Sequence, residues 1–589
     1  MTDESSDIVR VPFDGDGAFR GHRMVRWLGP SGLTTTAMQV LLSTIFGAYS
    51  DKREIQAALK ESGESDLSGR DELWFDFLAD TGDGFNATYT TACLLNQDFE
   101  LSYAGGTVAT KRSDLLVLGG DLAYPAATPE SYRDRFIGPY QAAFPEPRSG
   151  QQPTTMVACA GNHDWYDGLT TFLRLFCEGK RIGGWKTEQT RSYFTVKLPH
   201  GWWIMAIDLA FDFFIDEPQM AFFRREASER LAPADKVILV THRPSWLFHQ
   251  LGDDQLRSPM ARTNLQQFED DIIHAHGLRM PLVLAGDIHH YNRYASADRT
   301  HQRITAGAGA AFLYPTNHLQ PAFSWPEAEG VVGYEQQAVY PDARTSRRLR
   351  WGTLLAPFKN PSFMVFVGGL YVVFALLVRF ALTGGSGEGF TETLRLTDYG
   401  DVSEAVFNNP NSFLFAIALL AIMIGFADAP SWPWRTLVGV VHWVVHFVLL
   451  VVVLGTIAVF TVEVPFDLEI HYVVKVDLTL DTPIFVAGVA VAGAYLSSQV
   501  FALYLFLMFS LCGRHATHAF SSQHIANYRS FLRLKIDADG SLTVYPVAVR
   551  KVPRRWRRRN ADRQPGEPLY EPADGPVECE LIEPPIRIE

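Results

Sequence analysis

Cysteine is scarce in this chain of 589 residues: five in all (Cys93, Cys159, Cys177, Cys512, Cys579), an odd number without close pairing. That spacing builds neither a disulfide framework nor a zinc knuckle, so the five read as reduced thiols. Charge is also low, 20% against roughly 25% for an ordinary soluble protein. Basic charge is the scarcer sign, with 52 Lys and Arg against 65 Asp and Glu and a formal net charge of -13. A dedicated nucleic-acid binder needs a basic face, so no nucleic-acid partner is expected. Internal repeats are missing, and residues 1–33 are mixed and charged, without the apolar core of a secretory signal.

What the chain does have is apolar residues, 47% of the total, unevenly placed. Four apolar stretches, 362–382, 412–428, 437–461 and 483–512, follow residue 361. A helix needs roughly 20 apolar residues to cross about 30 Å of hydrocarbon; three stretches exceed this and the second sits at the short limit. They predict four transmembrane helices over 361–512. Arg344, Arg347, Arg348, Arg350 and Lys359 precede the first stretch, and Arg514 with Arg554, Arg555, Arg557, Arg558 and Arg559 follows the last. The intervening loops are acidic (Glu388, Glu392, Asp398, Asp401 and Glu404; then Glu463, Asp467, Glu469, Asp477 and Asp481). Basic flanks stay in the cytoplasm. The expected protein is therefore a multi-pass cell-membrane protein with both termini and its large N-terminal domain cytoplasmic.

Outside the membrane, residues 1–70 predict a helical extension containing the amphipathic segment Thr34–Tyr49. Residues 71–345 alternate short β-rich runs with helical stretches, as a layered α+β domain does. After the last span, 513–559 contains a hairpin, Phe531–Ile536 and Leu542–Val549 around Asp539-Gly540. The Pro- and Glu-rich residues 560–589 predict a disordered tail.

Five predicted strands end in polar loops: Asp80-Thr-Gly82, Gly120-Asp121-Leu-Ala-Tyr124, Gly161-Asn162-His163-Asp164, Val240-Thr-His242 and Gly286-Asp287-Ile-His289-His290. Each is weak by itself. Together, and in this order, they resemble the calcineurin-like metallophosphoesterase superfamily, with its pattern D-x-H or D-x-G, GD, GNH[DE], xxH and GHxH. The resemblance implies an α+β metallophosphoesterase β-sandwich flanked by helices, here followed by the four-helix transmembrane bundle and the short C-terminal β-hairpin. It also implies a hydrolase for phosphate mono- or diesters, with two metal ions (Fe, Mn, Mg or Zn) that neutralise the phosphate and activate water. On the family pattern Asp121 bridges the metals, Asp80 and His289 bind the first, Asn162 and His242 bind the second, His163 faces the phosphate, and Asp164 orients His163.

Two departures matter. Gly82 stands where many relatives place a ligating histidine, and Tyr124 either supplies the missing bond, as in the purple acid phosphatase branch, or packs with its hydroxyl bonded. Asp287 replaces the first histidine of GHxH; it either ligates the second metal or has lost that role to His290 or water. Asp83 and Asn86 shape the site or form a turn, Asp208 is structural, and Trp165, Tyr166, Trp246 and Tyr291 line a groove or pack. His442 and His446, four residues apart, share one helix face. The membrane setting makes membrane lipids a partner and a lipid-linked phosphoester a plausible substrate. The competing reading is a membrane receptor or regulator whose phosphoesterase-like domain binds a ligand without turnover.

Overall fold

The apolar runs that end in the motif loops become fully buried strands. In the computed structural model, which describes residues 8–10, 13–14, 18–30, 56, 65–209, 215–248, 259–328, 330–383, 399–463, 481–560 and 562–589, Leu73–Leu78 (β1), Leu115–Leu118 (β2) and Thr154–Ala158 (β3) pair in parallel. Alternate residues of a strand point to opposite faces. Leu73, Phe75 and Phe77 of β1 enter a layer between two sheets, while Trp74 and Leu78 enter a layer on the outside. Both faces are covered, so the strands read as continuous apolar runs and not as alternating ones.

The chain then crosses to a second sheet made of Phe194–Lys197 (β4), Trp202–Ile207 (β5), Lys236–Thr241 (β6), Arg279–Ala285 (β7), Tyr291–Ser296 (β8), Gln302–Ala306 (β9), Ala322–Glu327 (β10) and Gly330–Tyr340 (β11). Its order is β4-β5-β6-β7-β9-β8-β11-β10, with β5, β6, β7 and β9 parallel. Ile204, Ile238, Leu282 and Leu284 face Phe75, Phe77 and Val157 across the inner layer. Helix Phe85–Leu95 covers the outside of the first sheet and helix Glu217–Glu229 the outside of the second. The expected sandwich flanked by helices is what forms.

Four apolar helices follow: Pro361–Thr383 (α1), Pro410–Phe426 (α2), Trp432–Glu463 (α3) and Asp481–Cys512 (α4). Three contain stretches long and apolar enough to cross a membrane: Pro361–Leu382, Trp432–Thr461 and Pro483–Cys512, with mean hydropathies of 2.3, 2.7 and 1.7. The second, α2, has 17 residues, a length of about 25 Å, short of the ~30 Å of hydrocarbon. Of the four expected spans, three are long and apolar enough to cross a membrane among the described residues, and the second, expected at the short limit, is a shorter apolar helix. Close packing by small residues is seen between α1 and α4, where a Cβ on Gly368 would fall 2.7 Å from the Ala490 carbonyl oxygen.

After α4 the chain returns as Arg529–Ile536 (β12) and Leu542–Val549 (β13), the hairpin read from Asp539-Gly540. This hairpin is not an appendage. β12 pairs antiparallel with β1, and Arg533 makes a two-pronged ion pair with Asp76 at 2.8 and 3.0 Å, both side chains fully buried. The globular domain is thus discontinuous, closed by chain that lies beyond the apolar helices. Residues 560–589 also differ from expectation. Glu580–Leu581 and Ile586–Ile588 pair with β13, and Tyr570–Pro572 pairs with Arg555–Arg558. Composition measures how little core a segment can build by itself; here Leu581, Ile586 and Ile588 bury against a sheet edge already in place. Thr34–Tyr49 and most of the acidic inter-helix loop positions lie outside the described residues.

Two outcomes check this connectivity. A chain ended at Cys512 exposes the pairing edge of β1 and is expected to yield no folded domain by circular dichroism, whereas the full chain folds. Asp76→Ala leaves the Arg533 guanidinium buried and unbalanced, and the full chain should lose about 3–5 kcal/mol, read as a lowered denaturation midpoint.

Candidate metal centre

Parallel strands of both sheets end at one edge of the sandwich, and the motif residues sit in the loops that leave those ends. Asp80 follows β1, Asp121 follows β2, Asn162 lies beyond β3, His242 follows β6, and Asp287 and His289 follow β7. Asp80, Asp121 and Asp287 hold left-handed backbone (φ 56°, 56° and 64°). Residues other than glycine rarely adopt it, and Asp tolerates it better than most. Such strain concentrates at functional sites.

The side chains form two adjoining groups that share one atom. In the first, the Tyr124 hydroxyl lies 3.1 Å from Asp80 Oδ1, 3.1 Å from Asp121 Oδ2 and 3.2 Å from His289 Nε2. In the second, His242 Nε2 lies 3.5 Å from Asp121 Oδ2, 3.4 Å from Asp287 Oδ1 and 3.3 Å from Asn162 Oδ1. Asp121 Oδ2 belongs to both. Each imidazole is oriented by a backbone carbonyl that can only accept: His242 Nδ1 donates to Gly119 at 2.8 Å, His289 Nδ1 to Phe312 at 2.7 Å and His163 Nδ1 to Pro125 at 2.7 Å. All three Nε2 atoms are left facing inward, where metal-binding or proton-transferring imidazoles need them.

Burial works against a charged His242 imidazole, but the Asp121 and Asp287 carboxylates outweigh it and hold its value well above the ordinary one. Burial drives the Asp80 carboxyl well above its ordinary value, and the like charges of Asp121 and Asp287 add to the rise. Burial also lifts the Tyr124 phenol well above its usual range, with Asp121 and Asp80 adding to it. Asp121 goes the other way: burial opposes ionisation, but the His242 and His163 imidazoles outweigh it. Asp80, Asp121 and His242 each offer a donor atom within 4.8 Å of the others and could hold a metal ion. Carboxylate, amide and phenol oxygens with imidazole form a donor set suited to hard and borderline cations.

Residues 73–304 match the family model described as calcineurin-like phosphoesterase. The chain carries a calcineurin-like phosphoesterase domain. No curated protein matches the chain. Within the phosphoesterase domain, Asp80, Asp121, Tyr124, Asn162, His242, Asp287 and His289 all meet at the centre, and His163 stands beside it with Nε2 4.0 Å from Asp121 Oδ2.

Asp164 has a different place from the one the family pattern implies. It does not touch the His163 ring, which the Pro125 carbonyl orients. Its carboxylate instead accepts from the backbone N–H of Asp121 (2.8 Å), Leu122 (3.1 Å) and Gly161 (2.8 Å) and from the Tyr132 hydroxyl (2.5 Å). It fastens the loops after β2 and β3 to each other. Gly82 has no room for a ligand: its φ is +70°, and a Cβ there would lie 1.9 Å from the Leu122 carbonyl oxygen. His290 is turned away and bonds Asn292, so Asp287 alone fills that corner. Asp208 is structural, accepting from Trp165 Nε1 and Ser192. Asp83 accepts from the Val25 N–H, and Asn86 accepts from Trp556 Nε1. Of the four aromatic candidates only Tyr166 lines the site cavity, while Trp165, Trp246 and Tyr291 are core.

Sequence reasoning missed three residues at the mouth. Arg243, directly after His242, puts Nε 3.7 Å from Asp287 Oδ2; its position in the Thr-His-Arg run was the available signal. Trp27 packs edge-on to Tyr124, His163 and Phe312, at 6.0, 5.7 and 5.6 Å between centroids. Neither Trp27 nor Phe312 sits in a motif.

Asp164→Ala would strip the shared acceptor from three buried N–H groups, each worth about 1–3 kcal/mol. The expected outcome is a lower melting temperature together with reduced metal content, with Asp164→Asn intermediate. Gly82→Ala should also destabilise, because the new methyl group meets backbone and not a movable side chain.

Proposed function

We propose that this chain is a membrane-anchored metallophosphoesterase that hydrolyses phosphate mono- or diesters, lipid-linked ones included, with a pair of cations at the centre described above. The observation that carries the reading is the sharing of Asp121 Oδ2 between two donor groups. In this reading Asp80, Asp121, Tyr124 and His289 hold one ion and Asp121, Asn162, His242 and Asp287 the other. Bound cations would neutralise phosphate oxygens and lower the pKa of water.

The chain's own residues do the rest. His163, fixed by the Pro125 carbonyl, aims Nε2 at the centre and, when protonated, gives a proton to the departing ester oxygen as the phosphorus–oxygen bond breaks. Arg243 faces the same space and favours an anionic substrate. Trp27 and Phe312 wall the centre on one side and limit water to what the reaction uses. The basic residues before α1 and after α4 favour a cytoplasmic position for the domain.

The test is metal content and turnover of the purified full chain. Two ions per chain and cleavage of a chromogenic phosphoester after loading with Mn or Fe are expected, and chelation should abolish turnover. Asp121→Ala should lose both metal and activity; full activity in that variant would overturn the reading. His163→Ala should keep its metal and lose about 10²–10⁴-fold in kcat. With ferric iron, Tyr124→Phe should remove a visible charge-transfer colour; an unchanged spectrum would take Tyr124 out of the ligand set.

A further inference from the structure

The metal centre is one end of a larger space. A cavity of about 920 Å³ begins at Asp121, Asn162, His163 and Asp287 and continues between the apolar helices. Past the mouth its walls are mainly hydrocarbon, including Phe366, Leu370 and Phe374 on α1, Leu419 and Ile422 on α2, and Leu450 on α3. We propose that this cavity seats the hydrocarbon tail of a phosphoester lipid whose phosphate lies at the metal centre, so that the membrane helices form part of the substrate site and are not only an anchor. The headgroup half of this proposal rests on the phosphoesterase reading; the tail half rests on the cavity.

Three features fit a lipid tail and not a soluble ester. The first is depth. The cavity wall runs from Phe363 to Phe374 along α1, about 17 Å at 1.5 Å per residue, or roughly half of a ~30 Å hydrocarbon core. That is one leaflet, the one nearest the phosphoesterase domain. The second is access from the side. Helix α1 packs along α4, α4 along α3 and α3 along α2, whereas α1 and α2 share little contact. Phe366 and Ile422 line the cavity from these two helices and are 48% and 64% exposed. Helices α1 and α2 meet where Phe374 stacks on Phe415 at 5.5 Å, and the proposed side entry lies between Phe366 and Ile422, nearer the phosphoesterase domain.

The third feature is chemical. The cavity lining is mainly hydrocarbon, with Tyr371, His442, His446 and Ser497 as its polar members among the helices, and the proposed surroundings are lipid. Moving a tail from the bilayer into the cavity exchanges one apolar environment for another, so the tail itself gains little. Selection comes from the other end, because only a chain joined to a phosphate can fill the cavity and reach Arg243 and the metal centre together. A soluble phosphoester makes no use of the cavity.

The experiment uses the full chain in lipid nanodiscs with phosphatidic acid and phosphatidylglycerol that carry a diazirine at the end of one acyl chain. Photolysis should label the cavity stretches Phe366–Phe374 and Phe415–Ile422. Leu370→Trp and Leu419→Trp, which fill the cavity from two different helices, should each cut that labelling about tenfold. With the metal-loaded protein, both should lower the ratio of lipid to soluble aryl phosphoester turnover by a similar factor. Labelling confined to exposed positions outside the cavity, such as Val365, Leu414 and Val441, would overturn the proposal, as would a turnover ratio that neither tryptophan moves. Labelling of the cavity by a protein that cleaves no ester would uphold the tail site and overturn the phosphoesterase reading. Cleavage of the soluble ester with an unlabelled cavity would do the reverse.

Discussion

Three carboxyl groups, a phenol and three inward-facing imidazoles are gathered at one buried edge of the sandwich, and the cost of holding like charges together there organises what surrounds them. Two of the three carboxyl groups are held by backbone donors. Asp80 accepts from the Asp287 N–H and Asp121 from the His163 N–H, both at 2.8 Å, while Asp164 ties down the two loops behind them. Backbone carbonyls take the Nδ1 protons of the histidines. Carboxylate, phenol and imidazole groups gathered this closely match the ligand chemistry of hard and borderline cations.

The globular part and the apolar helices are built into each other. Leu505 and Phe509, from the end of α4, belong to the outer core of the second sheet. The corner between α2 and α3 is fixed to the end of α4 by Asp428, which pairs with Arg514 at 3.1 Å and accepts from the His515 N–H at 3.2 Å. Across the bundle His446 bonds His442 at 3.2 Å and Tyr371 at 3.3 Å, so that histidine pair bridges helices. Just beyond, β12 lies against β1 and carries Arg533 to Asp76. A shift of the helices would therefore be felt at the sheet whose strand ends carry Asp80 and Asp121, a mechanical reason for the proposed substrate site to draw on both parts.

Much of the centre was legible from residue order. Strand runs ending in Asp80, Asp121, Asn162, His242 and His289 could be read because parallel strands bring their carboxyl ends to one edge, whatever the intervening loops do. The role of Asp164 was not legible. Its neighbour in sequence is His163, but its partners are N–H groups 42 and 43 residues away. The same holds for Arg533 with Asp76, for Trp27 over Tyr124, and for the terminal strands, whose composition points to disorder and whose pairing edge lies on β13. The short length of α2 was visible in the sequence; its place in the bundle beside the centre was not.

The sequence by itself determined the kinds of donor at the centre, the order in which strands deliver them and the presence of apolar helices, because these follow from local pattern and side-chain chemistry. Only the tertiary structure decided that the domain is completed from beyond the apolar helices, that Pro125 and not Asp164 orients His163, and that the centre opens into a cavity among those helices. Those are properties of surfaces that meet across hundreds of residues, where packing and hydrogen bonding, and no nearest-neighbour preference, select the partner.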